Sequence, residues 1–203
     1  MIPFNSVLSR PLIPWFVRLR FSPNAITGLS ALFGLLAGFS LALGTARMGG
    51  VGAVCFLLSN VLDECDGKVA RLTNRSSRLG ALLDTLADCV VHAAFFLGLG
   101  VGMHRQFPHG PWLLLGAAAT GGSILSCVLD VGGVTPWQPP KPSDKSPEGF
   151  LARLIEWLRI DFSLIVLISA AVRQTAWILW SGALGVFIFW IPSTVVIALR
   201  GRR

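Results

Sequence analysis

The chain has 203 residues, 53% of them hydrophobic and 13% charged, with a mean hydropathy of +0.68 and a net charge of +7. A soluble domain carries roughly 25% charged residues, so a water-soluble globular enzyme is excluded and an all-α integral membrane protein is expected. The basic residues are dispersed among segment ends rather than clustered on one stretch, so no nucleic-acid partner is expected.

In chain order, residues 1–22 form a juxtamembrane segment. Pro3, Pro11 and Pro14 break any long helix there, and apolar residues alternate with Arg10, Arg18 and Arg20. This reads as an interfacial segment on the cytosolic leaflet, without the apolar core of a cleavable signal. Asn24, just after Pro23, is a candidate N-cap for the first span. Residues 23–203 then read as one six-helix bundle, the whole of 1–203 being a single domain. The expected spans are Ala25–Ala46, Gly50–Asn74, Leu79–Met103, Trp112–Val134, Phe162–Val172 with flanks, and Thr175–Leu199. Between the fourth and fifth lies a proline-rich cytosolic loop, Pro136–Gly149, and an amphipathic surface helix, Phe150–Arg159. Cys55, Cys65, Cys89 and Cys127 fall inside the spans with no C-x-x-C pair, and read as buried free thiols.

Six spans place fourteen of the seventeen Lys and Arg residues on one side and leave only Arg47, Arg105 and Arg173 on the other. The basic side is cytosolic, so both termini face the cytosol and the protein is expected in the cell (inner) membrane among its lipids. His104 and His109 flank the outer Arg105 loop and read as solvated.

Asp63, Glu64, Asp66, Asp84 and Asp88 hold half of the ten acidic residues within 26 positions, inside apolar sequence. One ionised carboxylate in a membrane segment costs roughly 2.5–3.5 kcal/mol on the lenient insertion scale, so four aspartates facing lipid are untenable. They are expected to line a polar cavity and share a cation. At about 100° per residue, Asp63, Asp66, Gly67 and Ala70 share one helix face, with Glu64 at its edge or off it. Gly80, Asp84 and Asp88 form a stripe on the next helix. A short basic turn, Asn74–Arg78, makes the two helices antiparallel neighbours whose acidic faces meet near the cytosolic end. Two blander explanations compete. Small residues also serve tight helix packing, and Lys68, Arg71, Arg75 and Arg78 are available for interfacial salt bridges. The bridges do not explain why four aspartates share two facing stripes.

Oxygen-only clusters suit hard cations, Mg²⁺ first, with Mn²⁺ or Ca²⁺ also admissible. Such ions pair with phosphates, so a basic-rimmed cytosolic cavity of this kind suits phosphoryl transfer.

The string Asp63-x₂-Asp66-Gly67-x₂-Ala70-Arg71-x₈-Gly80-x₃-Asp84-x₃-Asp88 resembles the signature of the CDP-alcohol phosphotransferase family at all eight positions. Pro23-Asn24-x-x-Thr27 also resembles a family feature. The resemblance covers residues 20–100 and implies a six-span enzyme, often a homodimer. Such an enzyme moves a phospho-alcohol group from a CDP-alcohol donor to a hydroxyl acceptor and releases CMP. It implies Asp63, Asp66, Asp84 and Asp88 as metal ligands, with Asp88 also the catalytic base. Gly67, Ala70 and Gly80 would bound the cytidine pocket, Arg71 would sit by the nucleotide phosphates, and Asn24 and Thr27 would join the nucleotide site. CDP-diacylglycerol is the expected donor, for phospholipid synthesis. For the acceptor, Asp130, Arg153, Arg159 and Asp161 are the candidates. The fourth span carries Ser126-Cys127-Val128-Leu129-Asp130 where relatives that take phosphorylated polyols often carry a Tyr-x-x-Ala-Arg-like run. Arg159 is equally readable as a lipid headgroup contact, and Asp130 as that arginine's partner.

The rival from another class is a six-span divalent-metal transporter using Asp84, Asp88 and His92, the last either a ligand or a polar residue satisfied within the bundle. It leaves Gly67, Ala70 and Arg71 unexplained. A non-catalytic nucleotide-binding scaffold is a third reading, against which the complete carboxylate set argues.

Overall fold

The computed structural model describes residues 4–131, 162–171 and 175–184. The described elements are helical: α1 (Phe4–Ser9), α2 (Leu12–Arg18), α3 (Pro23–Ala42), α4 (Ala46–Leu72), α5 (Arg78–Gln106), α6 (Trp112–Val131) and α7 (Phe162–Ala171). A further helical stretch covers 176–184. Among the described residues, α3, α4 and α5 are long and apolar enough to cross a membrane, and α6 contributes the shorter apolar run Trp112–Leu125. Outward faces carry large apolar side chains such as Leu32, Leu36, Phe39, Val54, Leu86 and Leu97, the surface a lipid environment calls for. The expected loop at 136–149, the surface helix at 150–159 and most of the sixth span lie outside the described residues.

Helices α3, α4 and α5 each start on a hydroxyl cap. Ser22 Oγ accepts from Ala25 N–H at 3.2 Å, Thr45 Oγ1 from Met48 N–H at 3.3 Å, and Ser77 Oγ from Gly80 N–H at 3.0 Å. The first cap is therefore Ser22 and not Asn24. Pro23 takes the first helical position, where its missing N–H costs nothing, and Asn24 is drawn into the first turn.

The antiparallel pair α4 and α5 meets through side chains rather than backbone. Both lean on α3, and they make little backbone contact with each other. Glycine explains how α3 serves both. A Cβ on Gly98 would stand 2.0 Å from Gly38 O, and one on Gly102 2.0 Å from Leu41 O, so α3 and α5 touch backbone to backbone. On the other flank, Ser30 Oγ donates to Ser59 O at 3.0 Å and Ser59 Oγ to Ser30 O at 2.9 Å, locking α3 to α4. Phe56 and Phe95, both fully buried with ring centroids 4.2 Å apart, fill the space deeper between α4 and α5. Toward the opposite end of these two helices a gap remains between them.

The N-terminal arm folds as two short helices broken near Pro11. Ile13 packs with Ile26, Leu62, Cys65 and Val69, while Trp15, Leu19 and Phe21 stay exposed beside Arg10, Arg18 and Arg20. That exposed mixture of basic and apolar groups has the chemistry of an interfacial segment. No disulfide joins the four cysteines; Cys65 and Cys127 are buried as expected, whereas Cys55 and Cys89 are only partly so, which corrects the buried reading for those two.

Candidate active site between α4 and α5

The gap near the α4–α5 turn holds the acidic cluster. Carboxylate oxygens of Asp63 and Asp66 on α4 and of Asp84 on α5 lie within 4.8 Å of one another. Asp66 is 3% exposed, and Asp84 Oδ1 is buried with no hydrogen-bond partner. Asp88, one turn beyond Asp84, is more exposed and lies outside that tight group. Among the described residues no base pairs with Asp63, Asp66 or Asp84. The ion pair recorded on these helices is Lys68–Glu64, at 2.7 Å. Three grouped anions and an orphaned buried oxygen are what a hard divalent cation satisfies, and the donor set fits one.

Glu64 is turned away from this group. Ser6 Oγ of α1 donates to Glu64 Oε1, and Lys68 Nζ donates to both Glu64 Oε1 and, at 3.1 Å, Ser9 Oγ. Its place at the edge of the helical face is thus used to fasten the N-terminal arm.

Beside the cluster a cavity of about 400 Å³ opens. Asp66 and Asp84 form its acidic side with the buried Thr27; Gly67, Ala70 and Gly80 supply small lining residues, and Arg71 and Asn24 line it as well. A Cβ on Gly80 would stand 3.1 Å from Ser77 Oγ and 3.4 Å from Asn24 Oδ1, whereas one on Gly67 would meet only Arg71 Nη2, at 3.8 Å. Sequence reasoning missed that Arg75, Ser76 and Ser77 also line the cavity. The signal was the basic turn itself. Asn74, in the left-handed region at φ 54°, ends α4, Arg75 N–H closes back on Ala70 O at 2.9 Å, and Ser77 starts α5. Two helix caps thus hold the intervening residues against the cavity. A contact that sequence could not show is Thr27 Oγ1 donating to Asp66 Oδ2 at 2.5 Å, which commits this buried hydroxyl to the carboxylate.

Other expectations fare differently. His92 Nδ1 sits 2.8 Å from Asp88 O, its ring edge-on to Phe56, so it is a histidine satisfied within the bundle. His109 is exposed, but His104 is only partly so and its Nδ1 is buried without a partner, which corrects the solvated reading. Asp130 lies in the last turn of α6 by its backbone, and Arg153, Arg159 and Asp161 lie outside the described residues.

A family model for CDP-alcohol phosphatidyltransferases matches residues 20–139, more than half of the chain and all of this site. The chain belongs to the CDP-alcohol phosphatidyltransferase family. Among its relatives, an Aquifex aeolicus protein named bifunctional IPC transferase and DIPP synthase is 33% identical over 125 residues, which is 60% of this chain and 26% of that protein. A Dictyostelium discoideum protein named as a CDP-alcohol phosphatidyltransferase class-I family member is 34% identical over 88 residues, 38% of this chain and 23% of that one. The match therefore spans about a quarter of the length of these curated relatives. The crystal structure of Mycobacterium tuberculosis phosphatidylinositol phosphate synthase in apo form shares the fold, with a TM-score of 0.53 over 81% of this chain and 94% of that one at 17% identity. Membership in a family of phosphate-group transferases lends the transporter reading no support.

Proposed function

We propose that this chain transfers a phospho-alcohol group from a CDP-alcohol, CDP-diacylglycerol in particular, to a hydroxyl acceptor and releases CMP. The observation that carries this reading is a single cavity walled by two of the grouped carboxylates on one side and by small residues with Arg71 on the other.

Asp63, Asp66 and Asp84 would hold Mg²⁺ or Mn²⁺, with Asp88 completing the set. When bound, such a cation neutralises the diphosphate oxygens and the charge that grows on the departing nucleotide phosphate. The chain's own residues do the rest. Gly67, Ala70 and Gly80 leave room for the flat cytidine to lie against backbone, with Asn24 at its edge. Arg71 offers a planar, permanently charged fork to the phosphates, and Arg75 lines the same cavity. Asp88, one turn beyond Asp84, accepts the acceptor hydroxyl's proton as that oxygen attacks the phosphorus bearing the alcohol. The pyrophosphate P–O bond then breaks and CMP carries away the electron pair. Asp130, Arg153, Arg159 and Asp161 are proposed to receive the acceptor.

The same reading includes six spans in one domain, both termini and the cavity on the cytosolic side of the cell membrane, and a homodimer. The experiment is to reconstitute the purified chain in liposomes with radiolabelled CDP donors and a panel of hydroxyl acceptors. Release of CMP coupled to a new phosphodiester, without flux of divalent cations, supports the reading. Cation flux without CMP release contradicts it.

A further inference from the structure

Thr27 lines the nucleotide-sized cavity, yet its hydroxyl is committed elsewhere. The residue is 6% exposed on α3, and Oγ1 lies 2.5 Å from Asp66 Oδ2 and 3.2 Å from Pro23 O. A hydroxyl has one proton, and the shorter contact to a carboxylate is the stronger of the two. Asp66, 3% exposed, therefore has one oxygen fixed by a neighbouring helix while its carboxylate stands within 4.8 Å of Asp63 and Asp84. Because α3 packs on both α4 and α5, a bond from α3 to Asp66 sets this carboxylate in the frame shared by both acidic helices.

We propose that Thr27 is a positioning residue whose hydroxyl holds Asp66 in the orientation that joins Asp63 and Asp84 around one divalent cation, rather than a contact to the nucleotide. The proposal rests on reading the carboxylates as a metal site. Hydrogen bonds to ligating carboxylates fix their geometry, and their loss costs roughly 10–100-fold in metal affinity.

The test measures Mn²⁺ affinity of the purified full chain in detergent, without nucleotide, by the electron paramagnetic resonance signal of free Mn²⁺. Thr27→Val removes the hydroxyl at constant shape, Thr27→Ala removes it with less bulk in case the valine misfolds, and Thr27→Ser restores it. Ser30→Ala is the packing control, since it removes the Ser30 Oγ bond to Ser59 O in the same α3–α4 interface one turn away, while Ser59 Oγ can still donate to Ser30 O. Val and Ala should weaken Mn²⁺ binding about 10–100-fold, Ser should bind nearly as wild type, and Ser30→Ala should lower thermal stability with affinity unchanged. At saturating Mn²⁺ the KM for CDP-diacylglycerol should be unaltered in Thr27→Val.

Unchanged Mn²⁺ affinity in Thr27→Val and Thr27→Ala overturns the proposal, as does a raised donor KM with normal metal affinity. Equal weakening in Ser30→Ala overturns it too, by showing a general packing effect. In each of those cases wild-type Mn²⁺ binding and its loss in Asp84→Asn leave the proposed function standing. A wild-type chain that binds no Mn²⁺ removes the metal site and this proposal together.

Discussion

Lys68 Nζ lies 2.7 Å from Glu64 Oε1, and the pair is clasped by Ser6 and Ser9 of the N-terminal arm, so the fifth acid of the cluster belongs to the scaffold. Both side chains are about a quarter exposed, 29% for Lys68 and 26% for Glu64. An i,i+4 helix pair of this kind contributes about 0.3–0.5 kcal/mol. Glu64→Gln should therefore cost little stability, release the arm to limited proteolysis near Arg10, and keep most of the CMP release. Loss of turnover comparable to that of Asp66→Asn would place Glu64 in the acidic site instead.

Asp88 is the proposed proton acceptor, set apart from the tight group of three. Asp88→Asn should lower kcat by about 10²–10⁴-fold, the range for losing a positioned general base. Equilibrium binding of a CDP-alcohol should survive. Near-normal CMP release by this variant would remove the assignment.

Gly67 has open space where a side chain would begin, with only Arg71 Nη2 near, at 3.8 Å. Gly67→Ala should fold normally, whereas Gly67→Leu puts three further carbons into the cavity. That variant should raise the donor's KM at least tenfold, about 1.4 kcal/mol, with an unchanged melting temperature. An unaffected KM would mean that the nucleotide lies elsewhere.

Gly98 faces the opposite constraint. Its Cβ would fall 2.0 Å from Gly38 O, and backbone cannot swing aside as a rotamer can. Gly98→Ala should destabilise by about 1–3 kcal/mol or more, read as a lower melting temperature in detergent. A thermally normal Gly98→Ala would show that α3 and α5 are not in backbone contact.

These contrasts mark how far the sequence was legible. Asp63, Asp66, Gly67, Ala70, Gly80 and Asp84 were readable as one constellation because helical periodicity assigns each to a face and because carboxylates are too costly to leave in lipid. The long helices were readable from apolar length, their ends missing by a few residues where Ser22, Thr45 and Ser77 capped earlier than the apolar runs suggested. The packing of α3 against both α4 and α5 was not readable. It depends on Gly38 meeting Gly98 across 60 positions, which no local pattern encodes. The Thr27–Asp66 bond was hidden for the same reason, being a contact between helices rather than along one.

The most direct measurement is a metal titration of CMP release. The purified chain is stripped with EDTA, supplied with CDP-diacylglycerol and a hydroxyl acceptor, and titrated with Mg²⁺ in parallel with Asp66→Asn and Asp84→Asn. Wild type should be inactive when stripped and recover saturably with Mg²⁺, while both variants fail to recover at the same concentrations. CMP release that persists in EDTA, or an equal Mg²⁺ response in all three proteins, would contradict the assignment of these carboxylates to a catalytic cation.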